Sequence, residues 1–198
     1  AEITLTQQKF TIFEEQLKNI NMKKLLLLLL TTFTLSCCNK DDDNPITEID
    51  KLPPATQTGA NTFGCLLDGK AFLPGNFPNA TNCFYQLVDG QYYFALNTSK
   101  INEDNLLVSI GLITNAKQIE QNEEYILEEN IPSNAFGQYG LEGIFTTTDG
   151  TTHTGELTIT KLDEINHTVS GTFWFDIVDF QGNSHQIREG RFDFQYTN

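Results

Sequence analysis

Trp174 is the only tryptophan of the chain and lies in the run Gly171-Thr172-Phe173-Trp174-Phe175-Asp176-Ile177. On a strand this alternation puts Phe173, Phe175 and Ile177 on one face and Thr172, Trp174 and Asp176 on the other. A flat aromatic beside a carboxylate offers a sugar ring a stacking platform and a hydrogen-bond acceptor. Tyr93 falls on a similar face of its own strand, opposite Tyr92, Phe94 and Leu96. Trp174, Tyr93 and Asp176 are therefore the candidate ligand-binding residues. The competing expectation is that Trp174 packs inside a second sheet or a barrel.

Other chemistry is sparse. Asp176 and Asp193 fall on neighbouring strands, so they could approach as the carboxylate pair a glycosidase needs. Chance pairs are common in a strand-rich acidic domain, and no catalytic residue is expected. His153, His167 and His185 have no His or Cys partner at i+2 or i+4, so no metal is expected. There is no G-x-S-x-G, no P-loop and no G-x-G-x-x-G, and no cofactor is expected. The expectation is a non-enzymatic protein.

The N-terminal part says where the chain goes. Met22-Lys23-Lys24 is followed by an apolar stretch over residues 25–35. This has the length of a secretory signal and is too short to span a bilayer as a helix. Residues 1–21 read as upstream sequence that is not part of the native protein, and 22–37 as the signal peptide. The stretch ends in Leu35-Ser36-Cys37-Cys38, which resembles a bacterial lipobox. Cys38 as the lipid carrier puts Leu35 at −3 and Ser36 at −2. Cys37 is the alternative and has Ser36 at −1. The following Lys40-Asp41-Asp42-Asp43 resembles the export tag of Bacteroidetes-type lipoproteins, which implies the outer face of the outer membrane. A lipid anchor makes the membrane the first partner.

Residues 38–61 are acidic at first, then rich in Pro and Thr without an apolar period. They read as a flexible tether. From Cys38 onward there are eight Lys and Arg against 23 Asp and Glu, a net charge of −15. That acidity excludes nucleic acid as a partner and keeps a tethered domain off an anionic envelope.

Residues 62–198 have a different texture. Short alternating runs are separated by Asp68-Gly69, Asp89-Gly90 and Asp149-Gly150, each a hairpin signal, and by Gly182-Asn183 within a longer loop. Nine or ten strands are expected, near 62–67, 70–73, 83–88, 91–98, 106–113, 123–128, 141–147, 152–161, 168–178 and 185–196. The fold class is all-β, an antiparallel meander forming a sandwich or a barrel. Phe192, Phe194 and Tyr196 share a face, but Ile187 has the wrong parity to join them. A β-bulge near Glu189-Gly190 would restore it. Cys65 and Cys83 lie in an exported and therefore oxidising location, so a Cys65–Cys83 disulfide is expected.

The stretches LPPATQTGANTFGC and EGRFDFQY, with GELTITKLD and VSGTFWFDI, resemble a family of Bacteroidetes-type surface lipoproteins that is a domain of unknown function. The resemblance runs from Leu52 to the C-terminus. It implies location and a β fold, and it transfers no site residue. The function expected from the sequence is a binding module for a glycan, another small ligand or an envelope protein. A structural or accessory subunit of an outer-membrane complex is the alternative, ahead of a hydrolase.

Overall fold

Two of the Asp-Gly pairs make tight corners. Asp68 and Gly69 have φ of 52° and 77°, Asp89 and Gly90 of 52° and 80°, and a two-residue hairpin turn needs positive φ at both positions. They join β1 (Thr62–Leu67) to β2 (Lys70–Phe72), and β3 (Thr81–Val88) to β4 (Gln91–Ile101). Glu142-Gly143, at 51° and 79°, makes a third such corner between β7 (Asn134–Leu141) and β8 (Ile144–Thr147). Asp149-Gly150 does not make a hairpin, contrary to expectation, because β8 pairs with β7. The Asp149 carboxylate instead accepts the backbone N–H groups of Thr151, Thr152 and His153 and so caps a loop.

This computed structural model describes residues 45–198, of which Ile46–Asn198 form one compact unit. The signal peptide, Cys37, Cys38 and Lys40, Asp41, Asp42 and Asp43 lie outside the described residues. The remaining strands are β5 (Leu107–Asn115), β6 (Glu124–Leu127), β9 (Gly155–Asp163), β10 (Thr168–Val178) and β11 (Ser184–Gln195). Among the described residues the fold is all-β, with eleven strands in the order β2-β1-β11-β10-β9-β6-β7-β5-β4-β3 and β8 paired to β7. The sheet is not closed, which fits a sandwich. β3 meets the chain two residues past the end of β11 through a bridge from Phe84 to Thr197. Three non-consecutive pairings interrupt the meander, β1 with β11, β6 with β9 and β5 with β7, and β6 runs parallel to β7.

The alternation places the core as read. Phe173, Phe175 and Ile177 are buried while Trp174 is exposed, and Phe192, Phe194 and Tyr196 are buried together. They belong to one core cluster with Phe63, Phe72, Phe94, Leu96, Leu112 and Leu157. The bulge is where Ile187 required it. Phe173 is opposite Gly190 but Phe175 is opposite Ile187, so Arg188 and Glu189 together face Trp174. The positive φ belongs to Glu189, at 54°. Gly190 serves a different purpose: a Cβ there would lie 2.6 Å from the Phe173 ring, so the absent side chain makes room for that ring.

The segment before β1 is not a free tether to its end. Residues Ile49–Lys51 form a 3-10 turn, the Glu48 carboxylate accepts the Ala71 N–H at 2.8 Å, and Leu52 is buried. Residues 56–60 are then fastened to Asp193 on β11. The Thr56 hydroxyl donates to its carboxylate at 2.6 Å, and the N–H groups of Thr58, Gly59 and Ala60 donate at 2.9, 2.7 and 3.1 Å. From Glu48 onward the segment is a strap bound to the sheet. A polar stretch without apolar period can still dock, because its partner is a buried carboxylate.

Cys65 and Cys83 are free, buried thiols, not the expected disulfide. They lie on strands placed near opposite ends of the sheet order, each engaged in its own ladder, Cys65 opposite Phe72 and Cys83 opposite Leu96. Burial raises both thiols, that of Cys83 to about 12, so both are protonated and unreactive at neutral pH. Alkylation of the native protein should therefore leave both unlabelled, and unfolding should expose two reactive thiols. A mass two hydrogens lower, with no labelling after unfolding, would restore the disulfide.

Candidate functional site

The bulge in β11 builds a groove on the outer face of the sheet. With two residues opposing one, the β11 backbone turns Arg188 and Glu189 toward Trp174, which is 37% exposed. The guanidinium carbon of Arg188 stands 5.3 Å from the centre of the Trp174 ring. Its position is fixed by donation to the carbonyls of Phe175 and Ile187, at 3.1 and 2.8 Å, and to the Asp176 carboxylate at 2.5 Å. Glu156 of β9 is the ladder partner of Trp174 on the other side. Arg191 donates its Nε–H to the Glu189 carbonyl at 3.2 Å. Ala55 of the strap adds a wall, and the groove encloses about 470 Å³.

Trp174 and Asp176 are neighbours through Arg188, but Asp176 is spent on the Arg188 ion pair and is not among the residues that line the groove. Tyr93 is not with them. It faces outward from β4 into a separate hollow of about 300 Å³ with Phe84, Ala95 and Ile113. The sheet order places β4 five strands from β10, roughly 24 Å along the sheet at about 4.8 Å per strand. The alternation gave Tyr93 the right face but carries no information on which strands are neighbours.

Asp176 and Asp193 do not form a carboxylate pair. Asp176 is opposite Gln186 and Asp193 opposite Ser170, roughly 20 Å apart along the strands at about 3.3 Å per residue. Asp193 is 1% exposed and accepts the Ser170 hydroxyl at 2.8 Å in addition to the strap. Burial alone would raise its carboxyl. The hydrogen bonds from Thr56, Thr58, Ala60 and Ser170 outweigh that and hold it well below the usual carboxylate range.

The histidines stand in three different places. His153 Nδ1 is 3.0 Å from the Asp149 carboxylate. His185 lies between Asp68, 2.7 Å from its Nδ1, and Asp179, 3.4 Å from its Nε2, and stacks on Tyr139 at 4.4 Å. Burial raises the Asp179 carboxyl, but bonds from Asn183, His185 and Gln181 overcome this and bring it to about 2. Among the described residues no three His, Cys, Asp or Glu side chains converge as metal ligands.

A third hollow was not foreseen. Tyr85, Tyr92, Tyr196, His167 and Glu164 line a pocket of about 420 Å³. The alternation assigned Tyr92 and Tyr196 to the core beside phenylalanines. The available signal was that tyrosine replaces phenylalanine toward the ends of those aromatic runs, where a hydroxyl can reach water.

No family model matches the chain, and neither the curated proteins nor the solved structures contain a match to it.

Proposed function

We propose that this protein is a non-enzymatic binding domain, carried on the outer surface of the outer membrane by a lipid on Cys38, that takes a glycan or similar small ligand in the Trp174 groove. One observation carries the reading: the only tryptophan and the only two arginines of a strongly acidic chain line the same groove. The indole supplies an apolar plate, stiffened by Arg188. Glu156 and Glu189 supply acceptors, and Arg191 supplies a planar donor fork. Donors and acceptors around an aromatic plate suit the alternating faces and hydroxyls of a sugar ring. The anchor and the surface location rest on the Leu35–Cys38 residues and the acidic residues after them.

A thermal-shift screen of the full chain against glycans and small metabolites tests the reading. A ligand at about 100 times its Kd should add about 2.7 kcal/mol of stability. Trp174→Ala should weaken that ligand by about tenfold or more, which is about 1.4 kcal/mol. A ligand that binds Trp174→Ala as well as the parent would place the site elsewhere.

The accessory-subunit reading has its own observation. Val88, 44% exposed, projects near the tip of the β3–β4 hairpin beside the Phe84 and Tyr93 hollow, and Leu87, 58% exposed, projects from the same tip on the opposite face, at the rim of the tyrosine hollow. Substituting these residues with charged ones should leave ligand binding at Trp174 intact and remove any co-purifying envelope protein.

A further inference from the structure

Three separated stretches of chain build the tyrosine pocket, which plays no part in the Trp174 reading. The β3–β4 hairpin brings Tyr85 and Tyr92, stacked with ring centres 5.1 Å apart. Tyr196, just past β11, meets Tyr85 edge-on at 5.7 Å. The turn between β9 and β10 adds His167, 5.4 Å from the Tyr196 ring, and Glu164 on the wall.

The frame that holds these rings is hydrogen-bonded throughout. The Asp163 carboxylate accepts the N–H groups of Ile165 and Asn166, at 3.1 and 3.0 Å, which fixes the turn. His167 then takes a φ of 52°, and its carbonyl accepts the Tyr196 N–H at 2.8 Å. The next residue, Thr197, exchanges backbone bonds with β3, donating to the Cys83 carbonyl at 3.1 Å and accepting the Tyr85 N–H at 3.0 Å. The rings are therefore in place before any ligand arrives, which removes an ordering cost from binding.

The charges have one sign. Aromatic faces are the negative pole of the ring quadrupole. Glu164 adds a full negative charge, and no Lys or Arg is among the residues lining the pocket. Burial raises the phenols of Tyr85 and Tyr196, and the Glu164 carboxylate pushes both the same way, so its field reaches the rings. A primary ammonium is strongly hydrated and gives up water at a high cost. A quaternary ammonium spreads its charge over methyl groups that pack on aromatic faces. We propose that the Tyr85–Tyr92–Tyr196–His167 pocket binds a methylated ammonium group, with Glu164 as its counter-charge.

Calorimetric titration of the full chain with choline and with tetramethylammonium tests this, with 3,3-dimethylbutan-1-ol as the neutral isostere of choline. Both cations should saturate, and the isostere should bind at least about fivefold more weakly, in line with the roughly 1 kcal/mol of a cation on aromatic faces. Glu164 is exposed on a turn, so Glu164→Gln should fold normally and weaken choline about three- to tenfold, by losing a counter-charge worth about 1 kcal/mol. Tyr92→Leu should weaken it further. Trp174→Ala should bind choline as the parent does, which separates this pocket from the groove. Co-sedimentation with phosphatidylcholine vesicles on top of choline binding would assign a lipid headgroup. Choline binding without co-sedimentation would assign a free solute. Absence of saturation, equal binding of the isostere, or wild-type affinity in both Glu164→Gln and Tyr92→Leu would overturn the proposal.

Discussion

Asp193→Ala should cost about 3–5 kcal/mol of folding stability, a large part of what a single domain has. The carboxylate is 1% exposed and takes hydrogen bonds from Thr56, Thr58, Gly59, Ala60 and Ser170. Removing it leaves several donors without partners, and each buried one costs about 1–3 kcal/mol unless water reaches it. Urea denaturation measures the loss. Asp193→Asn keeps the shape but turns one acceptor into a donor facing donors, so it should recover little. Retention of parental stability in Asp193→Ala would mean that the strap adds nothing to the fold.

The same residue sets a pH dependence. Its folded carboxyl lies below the ordinary value of 3.8, so its stabilisation is complete above that value and is lost as pH falls toward the folded one. Asp163 and Asp179, each lowered to about 2, act in the same direction. The parent should therefore lose stability steadily below about pH 4. Asp193→Ala should lose less over that interval, so the two curves should converge in acid. Parallel curves would show that Asp193 titrates alike in the folded and unfolded chains.

Phe175→Ala should be comparably damaging, at about 3–5 kcal/mol for a fully buried ring. Phe175 is 0% exposed, and its ring lies on Gly137 of β7. A Cβ on Gly137 would come within 2.9 to 3.0 Å of that ring, so Gly137→Ala should cost about 1–3 kcal/mol by overpacking. The two positions are one contact. Phe175→Leu should therefore relieve Gly137→Ala, and the double variant should be more stable than the sum of the singles by about 0.5–3 kcal/mol. Strict additivity would mean that the strand adjusts without the ring.

This contact also explains why β7 was not legible in the sequence. Asn134–Leu141 contains Gly137 and Gly140, and glycine argues against a strand interior. Both are there to admit rings, Phe175 over Gly137 and Phe145 over Gly140. The partner that makes each glycine favourable lies on another strand, or across a turn, and no local pattern reveals it. The opposite holds for β10 and β11. Their alternation and the parity fault at Ile187 located the buried faces and the bulge, because those depend only on spacing along the chain. The candidate site divides the same way. Trp174 and Asp176 share one strand face and stayed together, while Tyr93 and Asp193 depended on pairing and register and went elsewhere. Asp193 looked like a solvent-facing strand residue because nothing in a polar Pro- and Thr-containing segment announces that it will cover a carboxylate.

The strap has a mechanical consequence. A pull on the chain upstream of Ile46 does not reach β1 directly. It first loads the Glu48 bond to Ala71 of β2 and the buried Leu52, then the bonds from residues 56–60 to Asp193, and these couple the force to β11, which is held between β1 and β10. Those bonds are fewer than those of a full ladder, and release of the whole strap frees residues 48–61, whose contour is at most about 5 nm. Under a load on its N-terminal side, such a strap is a shock absorber. It also supplies Ala55 to the Trp174 groove, so tension that peels the strap removes one wall of the proposed binding site.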